Sequence, residues 1–168
     1  FDSNTGGNLA QGEIGNNQLL QMGNELDRFL MKKPKANVIA LLHHHPLEIK
    51  DPDWYIRDWY ESFLGNKRFE FTMKLVDADL FLEWIEKRKI KLILHGHKHI
   101  PNFARHKDIN VIAAGSSTGK VRHVDPQKTY LSYNLIKYDL NFMKPLSCTM
   151  IAEEIIGAGT TNILVQSL

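Results

Sequence analysis

Ile90-Lys91-Leu92-Ile93-Leu94-His95-Gly96-His97-Lys98-His99 is the stretch on which the fold turns. It opens with an apolar run, too short for most helices and long enough for a buried strand, and stops at a glycine set among imidazoles. Val38-Ile39-Ala40-Leu41-Leu42, further upstream, has the same form and stops at His43-His44-His45-Pro46. Its unbroken apolar character predicts a strand buried on both faces. A third run, Ile109 to Ala114, stops at Gly115-Ser116-Ser117. Neighbouring parallel strands of this kind would bring both histidine clusters to one rim, because ligand sites in such sheets lie beyond the carboxyl ends of the strands.

Around these strands the periodicity changes. Leu19, Met22, Leu26, Phe29 and Leu30 recur every three or four residues, which predicts an amphipathic helix ending near Lys32-Lys33-Pro34. A second helix is expected with Asp77 as its cap, Ala78, Phe81, Leu82 and Ile85 as its apolar stripe, and Glu86-Lys87-Arg88-Lys89 at its exposed end. Residues 4–17 read as a Gly/Asn-rich loop. Residues 47–74 read as a long, lid-like loop carrying Trp54, Tyr55, Trp59, Tyr60 and Phe63. Beyond Lys120, strands are expected over Tyr130–Tyr138, Leu146–Ile156 and Asn162–Gln166, separated by turn signals. The order of elements defines an α/β domain with a mixed sheet.

Length and composition restrict the function classes. The 168 residues suit one ordinary domain, and 43% hydrophobic with 24% charged residues is the make-up of a packed core rather than a disordered tail. Lys and Arg number 21 against 19 Asp and Glu, a balance without the basic patch that nucleic-acid binding needs. Lys32-Lys33-Lys35 and the run Glu86 to Lys91 read as solvated helix ends. One cysteine, Cys148, forms neither an internal disulfide nor a Cys-rich zinc knuckle, and no segment reaches the length of a membrane-spanning helix. A cytoplasmic location, no membrane partner and no nucleic-acid polymer are the expectations.

Six of the eight histidines lie in the clusters 43–45 and 95–99. Stacked imidazoles gain little by packing and risk unsatisfied ring nitrogens, whereas neutral imidazole is a common ligand of borderline divalent metals. His106 and His123, each alone in polar surroundings, read as ordinary hydrogen-bonded residues. The clusters read as metal ligands.

Gly96-His97-Lys98-His99 after a strand, with His44-His45-Pro46 some fifty residues before it, resembles the last two motifs of the calcineurin-like metallophosphoesterases. Phe1-Asp2-Ser3 before a Gly-rich stretch and a helix, Asp77-Ala78 opening the second helix, and Ala113-Ala114-Gly115-Ser116 are similar to the cyclic-nucleotide phosphodiesterase-like branch. The resemblance covers about residues 1 to 120. It implies half of a four-layer αββα sandwich, with a mixed sheet and flanking helices. Spacing alone leaves open which of His43, His44 and His45 is the ligand; the resemblance implies His44, two places before Pro46. His97 would join His44 on one ion and His99 would bind a second, while His43 and His45 would lie behind the ligands or face substrate. His45 is the candidate for contact with phosphate, and the aromatic residues of the 47–74 loop are candidates for stacking on a base. Gly96 would provide the sharp turn that lets two imidazoles face different ions.

The resemblance also defines what these residues lack. The family's Asp-x-His, Gly-Asp and Asn-His-Asp or Asn-His-Glu motifs do not occur here. Without the bridging carboxylate, two cations about 3.5–4 Å apart repel with no anion between them. The chain, which begins Phe1-Asp2-Ser3-Asn4, is therefore expected to be the C-terminal half of one phosphoesterase domain over residues 1–168, inactive by itself. It is expected to pair with a complementary N-terminal half or with itself. The intact domain would use two divalent ions (Mn, Fe or Zn) to activate water against a phosphodiester or phosphomonoester, possible substrates including nucleotides; this chain alone would hold one ion or none. The competing expectation is a non-catalytic, His-rich metal-binding or regulatory half-domain, with three imidazoles and a water around one zinc.

Overall fold

The computed structural model describes residues 1–3, 11–49, 75–115, 130–139, 141, 144–156 and 159–167. Nine elements run in chain order: α1 (Asn16–Lys32), β1 (Ala40–Leu41), α2 (Ala78–Lys87), β2 (Leu92–His95), β3 (Asn102–His106), β4 (Ile109–Ala113), β5 (Tyr130–Asp139), β6 (Lys144–Ile156) and β7 (Gly159–Ser167). A mixed sheet has the order β1-β2-β4-β3, and a second, antiparallel sheet has the order β5-β6-β7. β1, β2 and β4 are parallel, with Leu41 opposite Leu94 and His95 opposite Ala113, so all three end at the same rim.

The two faces of the mixed sheet have different cover. Ala40, Leu42, Ile93, Ile109 and Val111 form one core with Leu19 of α1 and with Ala78, Phe81, Leu82 and Ile85 of α2. On the opposite face Leu92 and Ile112 meet Cys148 of β6, with Ile136 and Tyr138 of β5 packed alongside. Among the described residues the layers are therefore helices, sheet and sheet, an α/β architecture with a mixed sheet and flanking helices. Burial pushes the Cys148 thiol pKa up, consistent with a small apolar core residue rather than a nucleophile.

Three expectations are corrected by the fold. The run Val38–Leu42 is not buried on both faces. β1 lies at the edge of the sheet, and Ile39 and Leu41 are 42% and 59% exposed, alternating with buried Ala40 and Leu42. Met22 and Phe29 of the α1 stripe are also exposed, and they line an apolar groove with Val38 and Trp84.

Second, β3 is a strand that the apolar pattern did not reveal. Asn102-Phe103-Ala104-Arg105-His106 pairs antiparallel to β4 through the Lys107-Asp108 turn, and its edge position leaves its side chains only partly buried. His106 is a satisfied histidine, its Nε2 lying 2.8 Å from Glu86 Oε1. Lys107 and His106 together hold the Glu86 carboxyl below its ordinary pKa.

Third, Asp77 does not cap its own helix. Its carboxylate accepts the backbone N–H of Ile14 at 3.0 Å and that of Gly15 at 2.8 Å, the residues that lead into α1. A residue preceding α2 thus satisfies donors at the start of α1, and the negative charge suits the positive end of that helix. Asp77→Ala should lower unfolding stability by about 1–2 kcal/mol, with Asp77→Asn recovering part of the loss. Urea unfolding followed by circular dichroism reads this directly, and an unchanged midpoint in Asp77→Ala would refute the cross-helix role.

Candidate metal centre

The parallel register brings the two histidine clusters together. Just beyond β2 the Gly96 N–H donates to the His43 carbonyl at 3.1 Å, and just beyond β4 the Ala114 N–H donates to the carbonyl of His95, the last residue of β2, at 2.7 Å. The three strand ends are thereby tied to one another. His43, His44 and His97 each offer a ring nitrogen within 4.8 Å of the others. The rings of His44 and His97 lie 4.3 Å apart, and His97 Nδ1 is 2.9 Å from His43 Nε2.

His97 reaches this position through a rare backbone. Its φ is 74°, and the Lys98 N–H closes back on the Gly96 carbonyl at 3.1 Å, forming a three-residue turn centred on a non-glycine residue. His99 also has a positive φ, 59°. Such conformations cost on the order of 1–3 kcal/mol each and persist only where the surroundings impose them. Gly96, expected to supply the turn, lacks a positive φ, and a Cβ there would meet open space. The unusual turning is done by the histidines themselves. Lys98 anchors the loop from below, 3% exposed, with Nζ donating to the Ile49 carbonyl at 2.9 Å.

The sequence candidates therefore separate. His44, buried, and His97, half-buried, come together. His43, expected behind the ligands or facing substrate, joins them, and His99 is exposed and lies outside the group of three. His45 is buried, its ring 6.4 Å from those of both His95 and His97, and its carbonyl accepts the Leu75 N–H at 3.4 Å. His95 remains neutral at ordinary pH: burial pulls its pKa down to about 4, with a further contribution from His45. Trp54, Tyr55, Trp59, Tyr60 and His123 lie outside the described residues.

Two residues not singled out as site residues complete the surroundings. Ser3, 1% exposed, places Oγ 2.8 Å from His44 Nδ1, and a Cβ on Gly12 would overlap the His44 ring and lie 2.6 Å from the Ser3 carbonyl oxygen. The only sequence signal for Gly12 was its place in a Gly-rich loop. The donor set fits a borderline divalent ion, since three neutral imidazoles are a familiar zinc environment. A resident divalent ion would supply Lewis acidity towards a phosphoryl oxygen.

The histidine motifs that the parallel strands gather at the carboxyl rim are similar to those of the calcineurin-like metallophosphoesterases. The sequence is 31% identical over 110 residues to the 3',5'-cyclic adenosine monophosphate phosphodiesterase CpdA of Vibrio vulnificus (strain CMCP6), covering 65% of this chain and 33% of that protein. The chain thus spans about a third of the length of that curated relative. No family model matches. Among solved structures, Vps29 of Chaetomium thermophilum overlaps 58% of this chain and 49% of its own, at 18% identity and a TM-score of 0.35. Vps29 of Entamoeba histolytica, complexed with Zn2+, overlaps 56% and 47%, at 12% identity and a TM-score of 0.34. Among the described residues no helix is long and apolar enough to cross a membrane.

Gly12→Ala should displace the His44 ring, because the nearest neighbours of the added methyl are that ring and a backbone oxygen. A loss of about 1–3 kcal/mol in stability is expected, together with weakened Co2+ binding in an optical titration. Wild-type stability and wild-type cobalt affinity in this variant would show that the cradle around His44 is not tight.

Proposed function

We propose that these residues are the C-terminal half of one metal-dependent phosphoesterase domain, hydrolysing a phosphodiester or phosphomonoester. The observation that carries the reading is the meeting of His44 and His97 at the carboxyl rim of the parallel strands. Kinship with a cyclic AMP phosphodiesterase supports a nucleotide substrate. In this reading His44 and His97 ligate one divalent ion (Mn, Fe or Zn), His99 serves a second, and His45 contacts phosphate. The carboxylates that such a pair of ions requires come from a complementary half.

The open flank of the sheet supports that complement. Among the described residues no strand pairs with the outer edge of β1, and the exposed Ile39 and Leu41 form an apolar strip beside it. Phe1 borders this edge, its backbone nitrogen donating to the Leu41 carbonyl at 2.8 Å. Unpaired edges with apolar side chains favour association. The isolated chain should therefore self-associate in sedimentation experiments, and Leu41→Lys should shift it towards monomer. A stable wild-type monomer with two-state unfolding would count against the half-domain reading.

A second reading is favoured by one observation: His43, rather than His99, completes the group of three. Three imidazoles on a single zinc ion would make a binding or regulatory half-domain without hydrolysis. Activity separates the two. The native polypeptide carrying these residues should hydrolyse bis-p-nitrophenyl phosphate or 3',5'-cyclic AMP in the presence of Mn2+ or Zn2+. His97→Ala or His99→Ala should each reduce turnover at least about a hundredfold. Full activity in either variant removes that residue from the ligand set, and metal binding without any hydrolysis supports the regulatory reading.

A further inference from the structure

We infer that Ser3 is a positioning residue for the metal centre, holding His44 in the tautomer with the proton on Nδ1. The inference rests on the reading of His44 as a metal ligand. An imidazole binds a cation through an unprotonated nitrogen, so ligation through Nε2 requires the proton on Nδ1 and a group to accept it. Ser3 Oγ lies 2.8 Å from Nδ1, and the bond is buried at both ends, Ser3 at 1% and His44 at 3% exposure. The same hydroxyl oxygen also receives the His44 backbone N–H at 3.4 Å. A hydroxyl has two lone pairs, enough to accept from both the ring and the backbone of His44.

Ser3 is itself held rigidly. Its carbonyl accepts the Glu13 N–H at 3.1 Å. The preceding residue is clamped by Gln18, which accepts the Asp2 N–H at 2.9 Å and donates to the Asp2 carbonyl at 2.7 Å. The Phe1 ring stands edge-on to Phe81 and Trp84, with centroids 5.2 Å away in each case. Gly12 closes the remaining side, where even a methyl group would collide with the His44 ring. A serine on a segment fixed at this many points fixes the ring it touches. Free histidine in water favours the proton on Nε2, the wrong tautomer for ligation through that atom, so Ser3 pre-organises the site before an ion arrives.

Two measurements on the native polypeptide carrying these residues test this. Long-range proton–nitrogen correlation spectra of the metal-free protein at pH 8 report the His44 tautomer directly. The expected result is the proton on Nδ1; a proton on Nε2 overturns the inference without any substitution being made. Co2+ titration followed by its visible absorption then compares wild type, Ser3→Ala, Ser3→Thr and His44→Ala. Ser3→Ala should weaken cobalt binding about 10- to 100-fold, the range for loss of a group that orients a ligand, and Ser3→Thr should restore it. Unchanged affinity in Ser3→Ala alongside lost binding in His44→Ala overturns the positioning role and leaves the ligand reading intact. Unchanged affinity in His44→Ala overturns the ligand reading, and this inference with it.

Discussion

Parallel pairing of β1, β2 and β4 is the constraint on which the rest depends. Leu41 opposite Leu94 and His95 opposite Ala113 bring three strand ends level, and the residues just beyond them have nowhere to go but one rim. Parallel register cannot slip by one residue without exchanging every core side chain for its opposite. Ile93 would leave the helix-covered core and Leu92 would enter it. The packing of Phe81 and Ile85 on one face, and of Cys148 on the other, therefore positions the imidazoles, although none of those three residues touches them as a ligand. The precision of the site comes from the apolar layers.

That constraint also explains which parts of the molecule could be read from residues alone. The apolar runs announced the strands because continuous burial leaves no polar position to confuse the period, and β4, buried at all five residues, is the clearest case. The same pattern could not show that β1 is an edge. Val38–Leu42 has the composition of a central strand, and whether a neighbour covers Leu41 is a fact of assembly rather than of sequence. β3 stayed hidden for the opposite reason. An edge strand such as Asn102–His106 needs few apolar residues, and its partner supplies the pairing. Asp77 was legible as a cap but not as a cap for a distant helix, because the donors it satisfies lie more than sixty residues away.

The site was legible as two clusters, and less so as individual ligands. Three consecutive histidines after a strand have no fixed alternation once the chain leaves the sheet, and His43 and His44 both turn to meet His97. Nor does sequence reveal that His97 and His99 take positive φ, since the neighbouring glycine is the residue to which physical chemistry first assigns such a turn. Ser3 lay within a recognised motif, but its bond to His44 spans forty-one residues and becomes visible only when the Phe1–Ser3 segment lies beside β1.

Charge gives the final argument about completeness. The three groups that converge are neutral imidazoles, and no carboxylate belongs to that group among the described residues. One divalent ion is well served by such a set, because water can supply the remaining position and the net charge stays at two. A second ion at close range is another matter: repulsion between two dications is many kcal/mol in a partly desolvated site, and only anionic ligands between them remove it. The two readings therefore differ in electrostatics before they differ in biology. A mononuclear centre is compatible with these imidazoles as they stand, whereas a hydrolytic pair of ions demands carboxylates delivered to the same rim. Among the described residues no strand pairs with the outer edge of β1, and in the phosphoesterase reading the exposed Ile39 and Leu41 beside the first of those histidine clusters are apolar surface that a segment bringing them would cover.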